Sequence, residues 1–144
     1  MTKSPYLVEH RLQDVLAALQ FLAIYPDYDL DVEDFRKKIA ADPKSAKTWS
    51  EVFADHPEFF RQSERHGDYS LVLRRARPKD KEKDERPPLS SSELSMLIDS
   101  AIDLQTHALE IRKDKRAWLP IVMTGIGILA VFLGTILGAM IKGR

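Results

Sequence analysis

Glu58-Phe59-Phe60-Arg61-Gln62 and Tyr69-Ser70-Leu71-Val72-Leu73-Arg74-Arg75 are the stretches that decide how this 144-residue chain folds. In the second, Tyr69, Leu71 and Leu73 fall on one face and Ser70, Val72 and Arg74 on the other. Alternation with period two predicts a strand. The segment between them holds Gly67, the only glycine before Gly125. A connection between paired strands needs a residue at positive φ, which glycine adopts without steric cost. The two stretches therefore predict a β-hairpin.

Upstream, the period changes. Val8, Leu12, Val15, Leu16, Leu19, Leu22 and Ala23 recur at helical spacing on one face. Phe21 and Ile24 widen that apolar surface, and Tyr25-Pro26 ends it, because the residue before proline avoids helical dihedrals. Asp31 is expected to cap a second helix over residues 32–41, with Glu33 and Asp34 in its first turn and Lys37 and Lys38 toward its end. Phe35 and Ile39 would face inward, and Asp42-Pro43 would stop the helix. Ser45 is expected to cap a third helix with Trp49, Val52 and Phe53 on its buried face, closed by His56-Pro57. Three helices followed by a hairpin is the element order of a winged-helix domain. The run His56-Pro57-Glu58-Phe59-Phe60-Arg61 followed by Tyr69–Leu73 resembles the third-helix end and wing of such domains. A winged-helix-like soluble domain is thus expected over residues 1–76.

Downstream, nine of the ten residues 77–86 are charged, five positive and four negative, and Pro87-Pro88 comes next. Such a run cannot bury a core, so residues 77–89 read as a solvated linker that lends the domain reach. Ser90 and Glu93 have the spacing of a capping box for a new helix over 90–117. Leu94, Leu97, Ala101, Leu104, Ala108 and Ile111 alternate spacings of three and four, a short heptad stripe. Ile98, Ile102 and Leu109 widen it. A helical self-association stalk is expected, with packing on the soluble domain as the alternative.

The 44% hydrophobic content is unevenly spread. Ala117 to Ile141 is 25 residues without a charge, 18 of them apolar. About 20 apolar residues suffice to cross a bilayer as a helix. A transmembrane helix is expected over 118–141, with a short tail at 142–144. Arg112, Lys113, Lys115, Arg116 and Trp118 would anchor its first end at the membrane interface. Four cations before the span outnumber Lys142 and Arg144 after it, so the N-terminal side is expected in the cytoplasm. With no apolar signal segment at the start, the chain reads as tail-anchored in a bacterial inner membrane. Gly127, Ala130, Gly134 and Gly138 make a small-residue stripe that would let two such helices approach closely.

Chemistry finds little purchase. No cysteine means no thiolate zinc site and no cysteine nucleophile. One glycine outside the C-terminal segment excludes phosphate-cradling glycine loops. Asp27, Asp29 and Asp31 resemble the start of a calcium loop, but Val32 and Lys38 stand where glycine and glutamate are required. His56-Pro57-Glu58 has the spacing of a zinc-deaminase motif but lacks its cysteines. His10, His56, His66 and His107 are far apart and read as surface or edge residues. Neither a catalytic residue, a metal site nor a cofactor is expected. A DNA-reading surface should be basic. Residues 1–63 instead hold 8 cations and 11 anions, and only Arg74, Arg75 and Arg77 form a basic patch, at the wing.

Two further motifs extend the reading across nearly the whole chain. The start, Pro5-Tyr6-Leu7-Val8-Glu9-His10-Arg11-Leu12-Gln13-Asp14-Val15, and the centre, His56–Arg61 with Ser70–Arg75, are similar to those of a family of short bacterial proteins with a C-terminal membrane anchor. Some members carry the name N-carbamoyl-L-amino-acid hydrolase. That resemblance implies a membrane anchor, but the activity in the name is not carried over, since nothing here matches the His, Asp and Glu metal site of such hydrolases. The expected function is a non-enzymatic membrane-tethered adaptor that binds a protein partner, is anchored in the lipid bilayer by its single span and forms homo-oligomers. A membrane-tethered nucleic-acid binder, a small hydrolase and a lysis or pore protein are the alternatives.

Overall fold

The computed structural model describes residues 4–64, 66–80 and 86–114. A 3-10 turn, Pro5–Leu7, precedes α1 (Arg11–Ile24). Then come β1 (Asp29–Leu30), α2 (Val32–Ile39), α3 (Trp49–Ala54), β2 (Phe60–Gln62), β3 (Tyr69–Leu71) and α4 (Val72–Arg75). Residues 91–114 form a further helix, α5. Residues Met1–Thr106 make one compact unit, and the second unit begins at His107. The unit that carries the sheet is a small α+β domain.

The hairpin forms where the alternation places it. Phe60 pairs with Leu71, Arg61 with Ser70 and Gln62 with Tyr69, antiparallel. Gly67 sits in the connection at φ +78°. β1 leaves no signal in the sequence, since two residues are too few to show a period. They pair with the other side of β3, Asp29 on Ser70 and Leu30 on Tyr69, giving the order β1-β3-β2. The central strand is β3, and Tyr69, Ser70 and Leu71 are all buried.

The core is the α1 face facing α3 and the sheet. Val15, Ala18, Leu19, Leu22 and Ala23 are buried, together with Trp49, Val52 and Phe53 of α3. Aromatic rings lock the short elements together. Phe35 meets Phe21, Trp49 and Phe53 edge-on at 5.0–5.2 Å between centroids. Phe53 in turn touches Phe60 at 4.8 Å and Tyr69 at 4.9 Å, so one ring ties α2 and α3 to the hairpin. Such pairs contribute about 0.5–1.5 kcal/mol each beyond area burial.

The caps divide between expectation and correction. Asp31 accepts from the Glu33 and Asp34 amides, as an N-cap should. The cap of α3 is Thr48, whose hydroxyl accepts from the Glu51 amide at 3.4 Å, and not Ser45. Ser45 is drawn elsewhere: its amide and hydroxyl donate to the Asp14 carboxylate at 2.7 and 2.6 Å, and the Lys44 amide donates to the same group at 3.1 Å. Asp14 on α1 thereby holds the loop before α3.

The α2 terminus carries strain that a substitution can remove. Ala40 closes the helix in the left-handed region, φ 55°, with its amide on the Arg36 carbonyl at 3.0 Å. An alanine there costs about 1 kcal/mol relative to glycine. Ala40→Gly should raise stability by about 0.5–1 kcal/mol, read as an upward shift of the near-ultraviolet dichroism melt of the full chain in mild detergent. An unchanged or lower midpoint contradicts this account of the cap.

Candidate interaction surfaces

The basic patch expected at the wing is taken apart by the fold. The strand expected over 69–75 stops at Leu71, and residues 72–75 turn into α4. That turn carries Arg74 into the interior, where it is fully buried. Its guanidinium donates to the carbonyls of Leu22 at 2.9 Å, Tyr25 at 2.5 Å and Pro26 at 2.8 Å, all at the end of α1, and to that of Arg86 at 2.8 Å. Helix C-termini leave carbonyls without intrahelical partners and carry partial negative charge. Arg74 answers both.

Arg77 also turns inward on the chain. It donates to the Pro88 carbonyl at 2.7 Å and pairs with Glu93. Arg75 is half-buried, beside Arg61, Gln62, Ser63 and Glu64 of the hairpin. Three arginines close in sequence therefore do not make one surface. On α3, exposed Glu51 and Ala54, with half-exposed Asp55 after them, form the outer face.

The His56-Pro57-Glu58 run does something its spacing alone did not disclose. His56, expected at the surface, is fully buried. Its Nδ1 lies 3.0 Å from Glu58 Oε1, and the Tyr6 hydroxyl donates to the same oxygen. The Tyr6 and His56 rings meet edge-on at 4.6 Å. Beside them Arg11 pairs with Asp55 at 2.8 Å. The carboxylate accepts, so Nδ1 carries the proton of a neutral imidazole, and the buried Nε2 has no hydrogen-bond partner. Burial pushes the His56 pKa down against the pull of Glu58. Burial would raise Glu58, but hydrogen bonds from Tyr6, its own backbone and His56 bring it below the ordinary carboxylate value. Burial and then Glu58 push the Tyr6 phenol up. The site clamps the N-terminal turn to the segment after α3. Pro57 between the two partners was a local signal; Tyr6, 52 residues from Glu58, left none.

The start of α5 is built as expected and placed differently. The Ser90 amide donates to Glu93 Oε2 at 2.8 Å, and the Glu93 amide reaches back to the Ser90 hydroxyl at 3.4 Å. The Ser90 contacts, and after them Arg77, hold Glu93 down to about 2. The chain before it is tied to the domain. The Leu89 amide donates to the Ala23 carbonyl at 2.8 Å, and the Arg86 guanidinium to the Arg77 carbonyl at 2.8 Å. The solvated linker expected over 77–89 is thus fastened at both ends, because the free carbonyls of α1 recruit the returning chain.

Along the stripe, Leu94 and Leu97 are half-buried and Ala101 is fully buried, whereas Leu104 is 39% exposed. In the second unit Ala108 is buried and Ile111 exposed. Arg112 and Lys113 are exposed on the same helix. Lys115, Arg116 and Trp118, the packing stripe Gly127, Ala130, Gly134 and Gly138, and the whole expected span lie outside the described residues. Among the described residues no helix is long and apolar enough to cross a membrane. Nor do three His, Asp or Glu side chains among them converge to hold a metal ion.

Comparison with known proteins finds no match to a family model, a curated protein or a solved structure. The likeness to short bacterial membrane proteins therefore rests on the quoted motifs alone.

Two consequences are measurable. Removing the Arg74 guanidinium strands buried carbonyls at about 1–3 kcal/mol each. Arg74→Met should therefore destabilise by about 3 kcal/mol, while half-buried Arg75→Ala should cost under about 1 kcal/mol. Equal losses in paired thermal melts contradict the buried role. For His56 the folded pKa lies below the unfolded one, 6.5. The unfolded chain binds the proton first, so stability is lost as pH falls below 6.5 toward the folded pKa. Glu58, also depressed, adds loss below 4.5. His56→Gln should flatten the limb of the midpoint-against-pH curve below pH 6.5; an unaltered limb excludes His56 as its source.

Proposed function

We propose that this chain is a non-enzymatic, membrane-tethered adaptor whose winged-helix-like domain binds a protein partner. The topology supports the winged-helix reading. A short strand between the first two helices pairs with the last strand of a hairpin that comes after the third helix. The observation that carries the function is the burial of Arg74. Phosphate contacts supply most of the affinity of a nucleic-acid surface. Here Arg74 and Arg77 are engaged within the chain, and the outer face of α3 presents Glu51, with Asp55 after it paired to Arg11.

What the domain offers instead suits protein contact. Ile24 is 65% exposed at the end of α1 and walls a cleft of about 500 Å³ with Pro26, Pro87 and Pro88. Lys79, Asp80 and Arg86 rim it with both signs of charge. An apolar centre inside a mixed polar rim is the usual anatomy of a protein interface. The tether is the uncharged stretch 117–141, whose length suits a bilayer. The flanking cations orient the domain to the cytoplasm, and the small-residue stripe pairs copies.

The full chain, expressed in bacteria, should remain with the membrane pellet through alkaline carbonate washing. An N-terminal epitope should be cleaved by protease in inverted vesicles and protected in right-side-out ones. In detergent it should show no salt-sensitive binding to a duplex of about 20 base pairs at micromolar protein. Carbonate release removes the tether from this reading. Duplex binding whose affinity falls steeply with salt and is lost on Arg75→Ala replaces it with the nucleic-acid alternative.

A further inference from the structure

We propose that the apolar stripe of α5 pairs with a second copy of this chain, and that the strap of residues 86–93 holds the first half of the stripe closed within the same molecule. The inference rests on the self-association in the adaptor reading and adds a control to it.

The stripe is unevenly covered. Leu94, Leu97, Ala101 and Leu104 share one helical face by their spacing. Leu94 and Leu97 are half-buried and Ala101 fully buried inside the compact unit Met1–Thr106. Leu104, about one turn on, is 39% exposed, and Ile102, which flanks the stripe beside Ala101, is 42% exposed. Within this unit the stripe is covered over Leu94, Leu97 and Ala101 and open at Leu104.

The strap is what keeps it occupied. Leu89 is buried and its amide is bonded to the Ala23 carbonyl at the end of α1. Arg77 holds both the Pro88 carbonyl and the Glu93 carboxylate. These contacts fix the first turn of α5 against the domain. The side chains of the Arg77–Glu93 pair are each about a quarter exposed, so water competes for both.

Charge points to a second copy as the occupant. Residues 91–106 carry Glu93, Asp99 and Asp103 and no lysine or arginine, so an anionic lipid surface would repel the helix. At about 100° per residue, Asp99 and Asp103 lie about 160° around the helix from Ala101. Two copies packed through the stripe keep these acids on their outer faces. Copies anchored in one membrane by the same segment also arrive parallel and in register, which heptad pairing requires.

The chain has no cysteine, so single-cysteine reporters read this directly. Leu104→Cys and Leu97→Cys are made separately in the full chain, in membrane vesicles, and oxidised with copper phenanthroline. Leu94→Cys is a second reporter for the covered half, and Thr135→Cys reports pairing of the span. Position 104 should form disulfide dimers at least tenfold faster than 97 and 94. Combining Arg77→Gln with Glu93→Gln should raise the rates at 97 and 94 at least fivefold and change 104 less than twofold. Equal rates at 97 and 104 before the strap is altered, or no rise after, overturns the cis closure. No dimers at 104 while 135 pairs overturns the stripe alone, including the case where lipid shields 104 from a water-soluble maleimide. Absence of dimers at both 104 and 135 removes the self-association on which the inference rests.

Discussion

The structure depends on one buried cation placed at one helix end. Arg74 sits beneath the last turn of α1 and shares its guanidinium hydrogens among the carbonyls of Leu22, Tyr25, Pro26 and Arg86. Bringing a cation out of water is costly, and only a dense set of acceptors offsets it. A planar fork with five donors can meet that many carbonyls at once; a lysine ammonium, with three, could not. The consequences spread outward. Because Arg74 must point inward, β3 ends at Leu71 and the chain turns through α4. Because the Arg86 carbonyl is one of its acceptors, the returning chain is fixed beside α1. Because Arg74 is spent inside, Arg74, Arg75 and Arg77 do not form one basic surface.

The same logic explains how elements this short persist. Helices of eight and six residues, such as α2 and α3, are well below the length that is stable alone. Their order comes from outside themselves. Phe35 and Phe53 pin them to each other through ring contacts. Asp14 supplies three hydrogen bonds to the loop between them, and Arg11 with Asp55 fixes the end of α3 to the start of α1. Tyr6, Glu58 and His56 add a third polar fastening. Each joins residues distant in the chain, so loss of one loosens two elements together.

This division also sets what the sequence could disclose. The face of α1, the Trp49–Val52–Phe53 face of α3, the Asp31 cap, the Ser90–Glu93 box and the turn at Gly67 all arise from neighbours within four residues or from a local period. Those are the distances at which propensity, capping and alternation act. What escaped is non-local. Leu73 and Arg74 continue the alternation perfectly well, and nothing nearby says that carbonyls about fifty residues back will draw Arg74 inward. Ser45 is as good a cap on paper as Thr48, until Asp14 takes its hydroxyl. His56 reads as a polar residue before a proline, because Tyr6 is invisible from there. The stripe of α5 was legible as a pattern, but its partial cover was not, since that cover is set by where residues 86–93 are fastened.

The fastening changes the meaning of the charged run itself. A linker gives reach only if its far end is free to leave. Here Arg86 donates to the Arg77 carbonyl, so the two ends of the run are joined to each other, and Leu89 is joined to α1. Loop closure depends only weakly on length, by about 0.6 kcal/mol per doubling. The number of charged residues between these ends therefore has little leverage on where α5 begins. The start of the helix is set by the pins at Ala23, Arg74 and Arg77, not by the linker. Residues 91–106 of α5 thereby belong to the same compact unit as the sheet, and whatever alters the pins alters how much of its stripe is available.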